Sequence, residues 1–318
     1  MPTKQLQQWA APHRVVLATN LVDLPFTLRV AIQQAMAYSA ELQIVHVLPD
    51  PDISQIDPVL LVNCEPEQIY KAAETILIEA LATAVSCGVR CGFHLVAGDV
   101  TNEIIKTARA WRADRLIAGS QGQAKFHLHI LGSVAESLFH HIEIPVLAIG
   151  PHALPENDPA KERMRIVLAT RLDRNSRRMA AFALDIAEKH HADISLVYVA
   201  PEIAQEHPTA ARVTGYAKRM LNNLLDVRPL KKCRPSCEVL HGEPAQEILK
   251  NATRHAADMI VLGASPHCAF DPRFVPGTAY RVLCEAPCPV LVLKQDSAWI
   301  SPQQDAARHH STQALTVL

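Results

Sequence analysis

The stretch GSQGQAKFHLHILGS, residues 119–133, sets Gly119 and Gly122 with two residues between them and, nine residues later, Gly132-Ser133. Just before it, Asp114-Arg115-Leu116-Ile117-Ala118 reads as a short buried parallel strand. Just after it, Val134-Ala135-Glu136-Ser137-Leu138-Phe139 reads as a helix. A strand, a glycine-bearing loop and a helix start suit an anion. The first N–H groups of a helix point outward unpaired, and the helix dipole favours negative charge there. The glycines are expected at positive φ, letting a ligand approach the backbone closely. Ser133 offers a hydroxyl to a phosphate or a cap to the helix. The pattern lacks the Lys beside Ser/Thr of a Walker A loop, and its glycine spacing is not the dinucleotide fingerprint.

Working outward, the chain repeats itself. Arg14-Val15-Val16-Leu17-Ala18-Thr19 returns as Arg165-Ile166-Val167-Leu168-Ala169-Thr170. Ala113-Asp114-Arg115-Leu116-Ile117 returns, 144 residues on, as Ala257-Asp258-Met259-Ile260-Val261. Ile144-Pro145-Val146-Leu147 returns as Cys288-Pro289-Val290-Leu291. Two copies of one domain are therefore expected: 1–150, a Pro-rich linker 151–163, a second copy 164–294 and a polar tail 295–318. Each copy alternates strand and helix, which predicts a parallel sheet wound with helices. In the first copy the strands fall at Val15–Thr19, Leu42–Leu48, Phe93–Val96, 114–118 and Val146–Ile149. The helices fall at Leu24–Ala40, Pro66–Cys87 and Thr101–Arg112. Ile69, Ala73, Ile76, Leu77, Ala80 and Ala84 form the apolar stripe of the second.

The full spacing, with its strand and helix, resembles the nucleotide-binding loop of the universal stress protein family. The resemblance implies two tandem Rossmann-like domains related to adenine nucleotide α-hydrolases. Each would be a five-stranded parallel sheet with flanking helices, and the two would be paired about a pseudo-two-fold axis. It also implies an adenine nucleotide, ATP or else ADP or AMP, in the first copy. Gly119 and Gly122 would lie against ribose and phosphate. Gly132, Ser133 and Val134 would meet the phosphates, and Ala18, Thr19 and Asn20 would hold base and ribose. Val47 matches the apolar residue that packs on adenine, and reads equally as core. Family members usually carry Asp where Asn20 stands, so a carboxylate contact is expected to be lost. Any Mg²⁺ would be held by phosphates and water.

The second copy departs from the pattern. It reads Gly263-Ala264-Ser265-Pro266, then ten residues, then Gly277-Thr278. Pro266 has no N–H to offer where the second glycine stood, and Arg171 occupies the position of Asn20. Weak or absent nucleotide binding follows, with recruitment of a different anion by Arg171 and Arg273 as the alternative. Val146–Ile149 and Val290–Leu293 are wholly apolar, so the last strands of the two copies are expected to pair within the chain. A homodimer of whole chains is compatible with this.

The 318 residues carry a formal net charge of −1, which gives no electrostatic case for nucleic acid or an acidic membrane. No apolar run is long enough to span a bilayer, and Met1 to Arg14 lacks a signal-peptide core, so a cytoplasmic protein is expected. The eight cysteines include three C-x3-C pairs, read as reduced structural thiols rather than a metal site. Lys125, His127 and His129 in the loop read as phosphate-facing charge or as a solvated loop. No acid–base constellation accompanies the loop. The expected role is thus a nucleotide-binding stress or regulatory protein, with a slow ATPase or a nucleotide-free interaction module as alternatives.

Overall fold

In a computed structural model, residues 2–49, 66–120, 131–153, 162–202, 208–226, 230–264 and 277–294 are described. One ten-stranded sheet carries the fold, in the order β3-β2-β1-β4-β5-β10-β9-β6-β7-β8. In the first copy its strands are β1 (Arg14–Ala18), β2 (Glu41–Pro49), β3 (Cys91–Gly98), β4 (Arg115–Gly119) and β5 (Val146–Ile149). In the second they are β6 (Arg165–Ala169), β7 (Asp193–Ala200), β8 (Arg234–His241), β9 (Met259–Ala264) and β10 (Val290–Lys294). Pairing is parallel within each copy. The seam between copies is antiparallel, with Leu147 opposite Leu291. The result is two Rossmann-like halves, each reversing strand order between its first and fourth strands.

Nine helices cover this sheet among the described residues. On one face lie α1 (Pro2–Ala10), α2 (Leu24–Tyr38), α3 (Pro66–Ser86), α6 (Ser176–His190) and α7 (Pro208–Leu225). On the other lie α4 (Val100–Ala110), α5 (Ser133–His141), α8 (Pro244–Arg254) and α9 (Thr278–Glu285). The alternation of strand side chains decides the division. Val15 and Leu17 enter the first core, while Val16 and Ala18 enter the second. Central strands are buried on both faces, which is why β5 and, after their first arginines, β1 and β4 read as continuous apolar runs. Pro25 sits in the first turn of α2, where its missing N–H costs nothing. Gly88, at φ +79, ends the turn after α3.

Two local expectations change. The predicted stripe of α3 holds at Ala73, Leu77, Ala80 and Ala84, but Ile69 and Ile76 face solvent. The N-terminal segment, read only as polar, forms α1. Its Leu6, Trp9 and Ala10 make a short helical stripe that packs on α6 of the second copy.

The polar groups that fasten α1 belong to the start of β4. Asp114 accepts from Gln8 Nε2 at 2.6 Å and from the backbone N–H of His13 and Arg14 at 2.8 and 3.0 Å. Arg115 is fully buried. Its guanidinium donates to Trp9 O at 2.9 Å and to Gln34 Oε1 at 2.5 Å, and lies 5.1 Å from the centre of the Tyr38 ring. A cation at the last turn of α1 also meets the negative end of that helix.

Candidate functional site

A crevice of about 260 Å³ opens at the carboxyl ends of β1, β2 and β4. This is the point where strand order reverses, the usual ligand position in open α/β sheets. Ala18, Thr19, Asn20, Val47, Gly119, Gly132, Ser133 and Val134 all line it. Gly122, Lys125, His127 and His129 lie outside the described residues.

The wall at the end of β1 is built by Thr19. Its N–H continues the ladder to Val45 O at 3.0 Å, and its carbonyl accepts from Nδ1 of buried His46 at 2.8 Å. Its hydroxyl accepts from the N–H of Leu21 at 2.9 Å and donates to Asp23 Oδ1 at 3.3 Å. Asn20 closes a side-chain turn, its Oδ1 accepting from Val22 N at 2.9 Å and Asp23 N at 3.1 Å. That turn carries Leu21 in the left-handed region at φ 68. The Asn20 oxygen is thus engaged with its own backbone, although the residue borders the crevice.

The turn swings Asp23 into the crevice. Asp23 precedes α2 at its N-cap position, yet makes no side-chain cap bond. Its carboxylate instead lies over the Cα of Gly119. A Cβ at 119 would stand 2.0 Å from Asp23 Oδ2, so no residue with a side chain fits there without moving the carboxylate. Burial raises the Asp23 pKa above its ordinary value, opposed in smaller part by the Thr19 hydroxyl and by backbone N–H groups of Asp23 and Asn20. A carboxylate is therefore present in the crevice, supplied from 23 rather than 20. From sequence, an Asp just before a Leu-Pro helix start reads as a cap, and that signal conceals the role.

The far wall is the start of α5. Ser120 N donates to Ile149 O at 2.9 Å, and Gly132 N donates to Ser120 O at 2.9 Å. These bonds tie the ends of β4 and β5 to the start of α5. Gly132 is the N-cap in extended conformation, at φ −64 and ψ 142, and no side chain caps the helix. One expectation is corrected here, and one of two alternatives drops out. Gly119 and Gly132 are not at positive φ; Gly119 is required by the neighbouring carboxylate. Ser133 is the first helical residue and does not cap, leaving its exposed hydroxyl and the first-turn N–H groups open to the crevice. The second copy contributes as well, because Leu131 N donates to Tyr280 Oη of α9 at 3.1 Å.

The equivalent crevice of the second copy is larger, about 730 Å³, and is lined by Thr170, Arg171, Tyr198, Gly263, Gly277 and Thr278 among others. The same turn recurs there, with Leu172 at φ 57 and its N–H donating to Thr170 Oγ1 at 3.3 Å. Thr170 meets Ser176 Oγ at 2.8 Å instead of a carboxylate. Arg171 pairs with Asp173 at 2.9 Å. Space is available; the chemistry differs. Among the described residues there is no group of His, Cys, Asp and Glu able to hold a metal ion. Six of the cysteines are free thiols, and among the described residues no helix is long and apolar enough to cross a membrane.

Comparison with known proteins agrees with the tandem architecture. A universal stress protein of Thermus aquaticus is 31% identical over 134 residues, 41% of this chain and 97% of that protein. One from Methanocaldococcus jannaschii is 28% identical over 143 residues, 41% of this chain and 82% of that protein. The crystal structure of a universal stress protein from Archaeoglobus fulgidus shares the fold with a TM-score of 0.66. It covers 91% of this chain and 98% of its own, at 19% identity. The Universal stress protein family pattern matches twice, over residues 13–150 and 162–294. The chain belongs to the universal stress protein family.

Proposed function

We propose that the chain binds one adenine nucleotide, ATP, ADP or AMP, in the crevice of its first copy and acts as a nucleotide-responsive stress or regulatory protein. One observation carries this reading. Residues separated by more than a hundred positions, Ala18 to Asn20, Val47, Gly119 and Gly132 to Val134, line one crevice that ends at an uncapped helix N-terminus. The crevice is graded. Val47, Val100 and Ile104 make an apolar end suited to the adenine ring. The first turn of α5 makes an anion-accepting end suited to phosphates. Mg²⁺, where present, would ride on the phosphates and water. No lining residue among those described is a Lys or Arg that would stabilise a transferring phosphoryl group. The proposed role is binding, with slow ATP turnover as the alternative.

In this reading the chain divides as 1–150, a linker 151–163, a second domain 164–294 and a tail 295–318. The second domain pairs with the first through their last strands and does not hold nucleotide, because its loop carries Pro266 and its crevice carries Arg171. A further pairing of whole chains is compatible with the fold. The inferred setting is the cytoplasm, in keeping with free thiols. Calorimetry with ATP and AMP on the native chain and on Gly122→Pro tests the proposal. One site per chain, abolished by the substitution, is expected. Two sites would refute the account of the second copy, and no binding would refute the function.

A further inference from the structure

Resting on the nucleotide reading above, we infer that Asp23 is the specificity residue of the crevice, accepting the ribose hydroxyls and so requiring a ribonucleotide with its diol intact. The geometry supplies each step. Asp23 is the one carboxylate among the described lining residues, and it is turned inward by the Asn20 side-chain turn and the left-handed Leu21. It is locked against Gly119, whose missing Cβ leaves the space that Oδ2 fills. A carboxylate accepts only, so it matches groups that bring O–H or N–H donors, and it repels phosphate.

Its place along the crevice selects the sugar. Thr19, Asp23 and Gly119 stand at β1 and β4, in the middle of the crevice. The apolar end lies toward β2 and α4, and the anion-accepting end lies at the first turn of α5. A nucleotide lying base to phosphate across these ends sets its ribose over the middle. There the 2′- and 3′-hydroxyls donate to Asp23. The like charge of Asp23 keeps the phosphates at the α5 end, so the same group fixes the direction of binding. Asn20 cannot substitute, since its oxygen already accepts two backbone N–H groups.

The test compares ATP with 2′,3′-dideoxy-ATP by calorimetry on the native chain, Asp23→Asn and Asp23→Ala. Removing the diol should weaken binding to the native chain by roughly 10- to 100-fold, the effect of one or two hydrogen bonds to a charged group. The two nucleotides should bind Asp23→Ala within about threefold of each other, a factor worth less than one ordinary hydrogen bond, with Asp23→Asn in between. Equal binding of both nucleotides to the native chain would overturn the inference and leave the nucleotide reading intact. Full discrimination retained in Asp23→Ala would do the same. Failure of the native chain to bind either nucleotide would remove both. The native comparison needs no substitution, so it decides even if a variant does not fold.

Discussion

Acid should weaken the junction between the two copies through His190. This residue ends α6 and meets Tyr38 at the end of α2, with Nε2 2.8 Å from Tyr38 Oη and the rings edge-on at 5.0 Å. Burial, and then the neighbouring charges of Arg115, Lys189 and His191, lower its pKa from 6.5 to about 4. The unfolded chain therefore binds more protons than the folded one between these values. Stability is fully present above pH 6.5 and is lost as pH falls toward 4. At about 1.36 kcal/mol per pH unit, the fall from 6.5 to about 4 sets a ceiling of about 3 kcal/mol. His190 retains some solvent access, which brings the expected loss to about 1–2 kcal/mol. Urea unfolding of the native chain and His190→Gln from pH 8 to pH 4.5 isolates this contribution, because every other titrating group is common to both. The native curve should fall further than that of the variant, with the divergence confined below pH 6.5. Parallel curves would refute the reasoning, as would divergence at alkaline pH.

Arg115→Ala should cost about 3–5 kcal/mol in urea unfolding. It orphans Trp9 O and Gln34 Oε1, both bonded to the guanidinium, and leaves a cavity under α1. The site lies at the other end of β4, so nucleotide affinity should hold within about twofold, well under the worth of one contact; a loss below about 1 kcal/mol would mean that Arg115 does not fasten α1. Tyr280→Phe removes the acceptor of Leu131 N, one residue before Gly132. It should weaken nucleotide binding about 5- to 10-fold with little change in melting temperature, and unchanged affinity by calorimetry would reduce Tyr280 to a packing role.

The layered sheet was legible because central strands are buried on both faces, so β1, β4, β5 and their repeats stand out as short, mainly apolar runs. The lining residues were legible for a related reason. Strand ends and the glycine-bearing loop are local signals, and parallel pairing within a copy brings the carboxyl ends of its strands to one edge. What escaped detection depends on contacts between distant segments. The three apolar residues of α1 acquire meaning only against α6 and Arg115. Ile69 and Ile76 fit the helical spacing of α3 but face outward, since periodicity locates a stripe without fixing its width. Arg115 lay within the stretch read as a buried strand, but its partners Trp9 and Gln34 are distant in sequence, and it is the largest fully buried side chain among the described residues. Asp23 was hidden by its position, because its direction is set by the dihedral of Leu21, which no spacing encodes.

The two crevices separate what the fold needs from what a ligand needs. Both copies keep a threonine after the first strand, a left-handed leucine two residues later and a glycine at the end of the fourth strand. The threonine and the leucine shape the turn at the reversal of strand order in both copies, the leucine N–H donating to the threonine hydroxyl in each. Chemistry parts where the side chains face the opening. The first copy presents a carboxylate wedged over Gly119, whereas the second presents Thr170, whose hydroxyl meets the buried Ser176, and an ion-paired Arg171. A second copy that has lost the first copy's chemistry is nevertheless not dispensable to it. Its β10 covers the apolar edge of β5, its α6 receives α1, and its Tyr280 holds the N–H of Leu131 beside the helix start. An uncovered β5 would be an open strand edge of four buried residues, a template for association. The second half is therefore structurally part of the first half's site, which gives a physical reason for its fold to persist while its own crevice diverges.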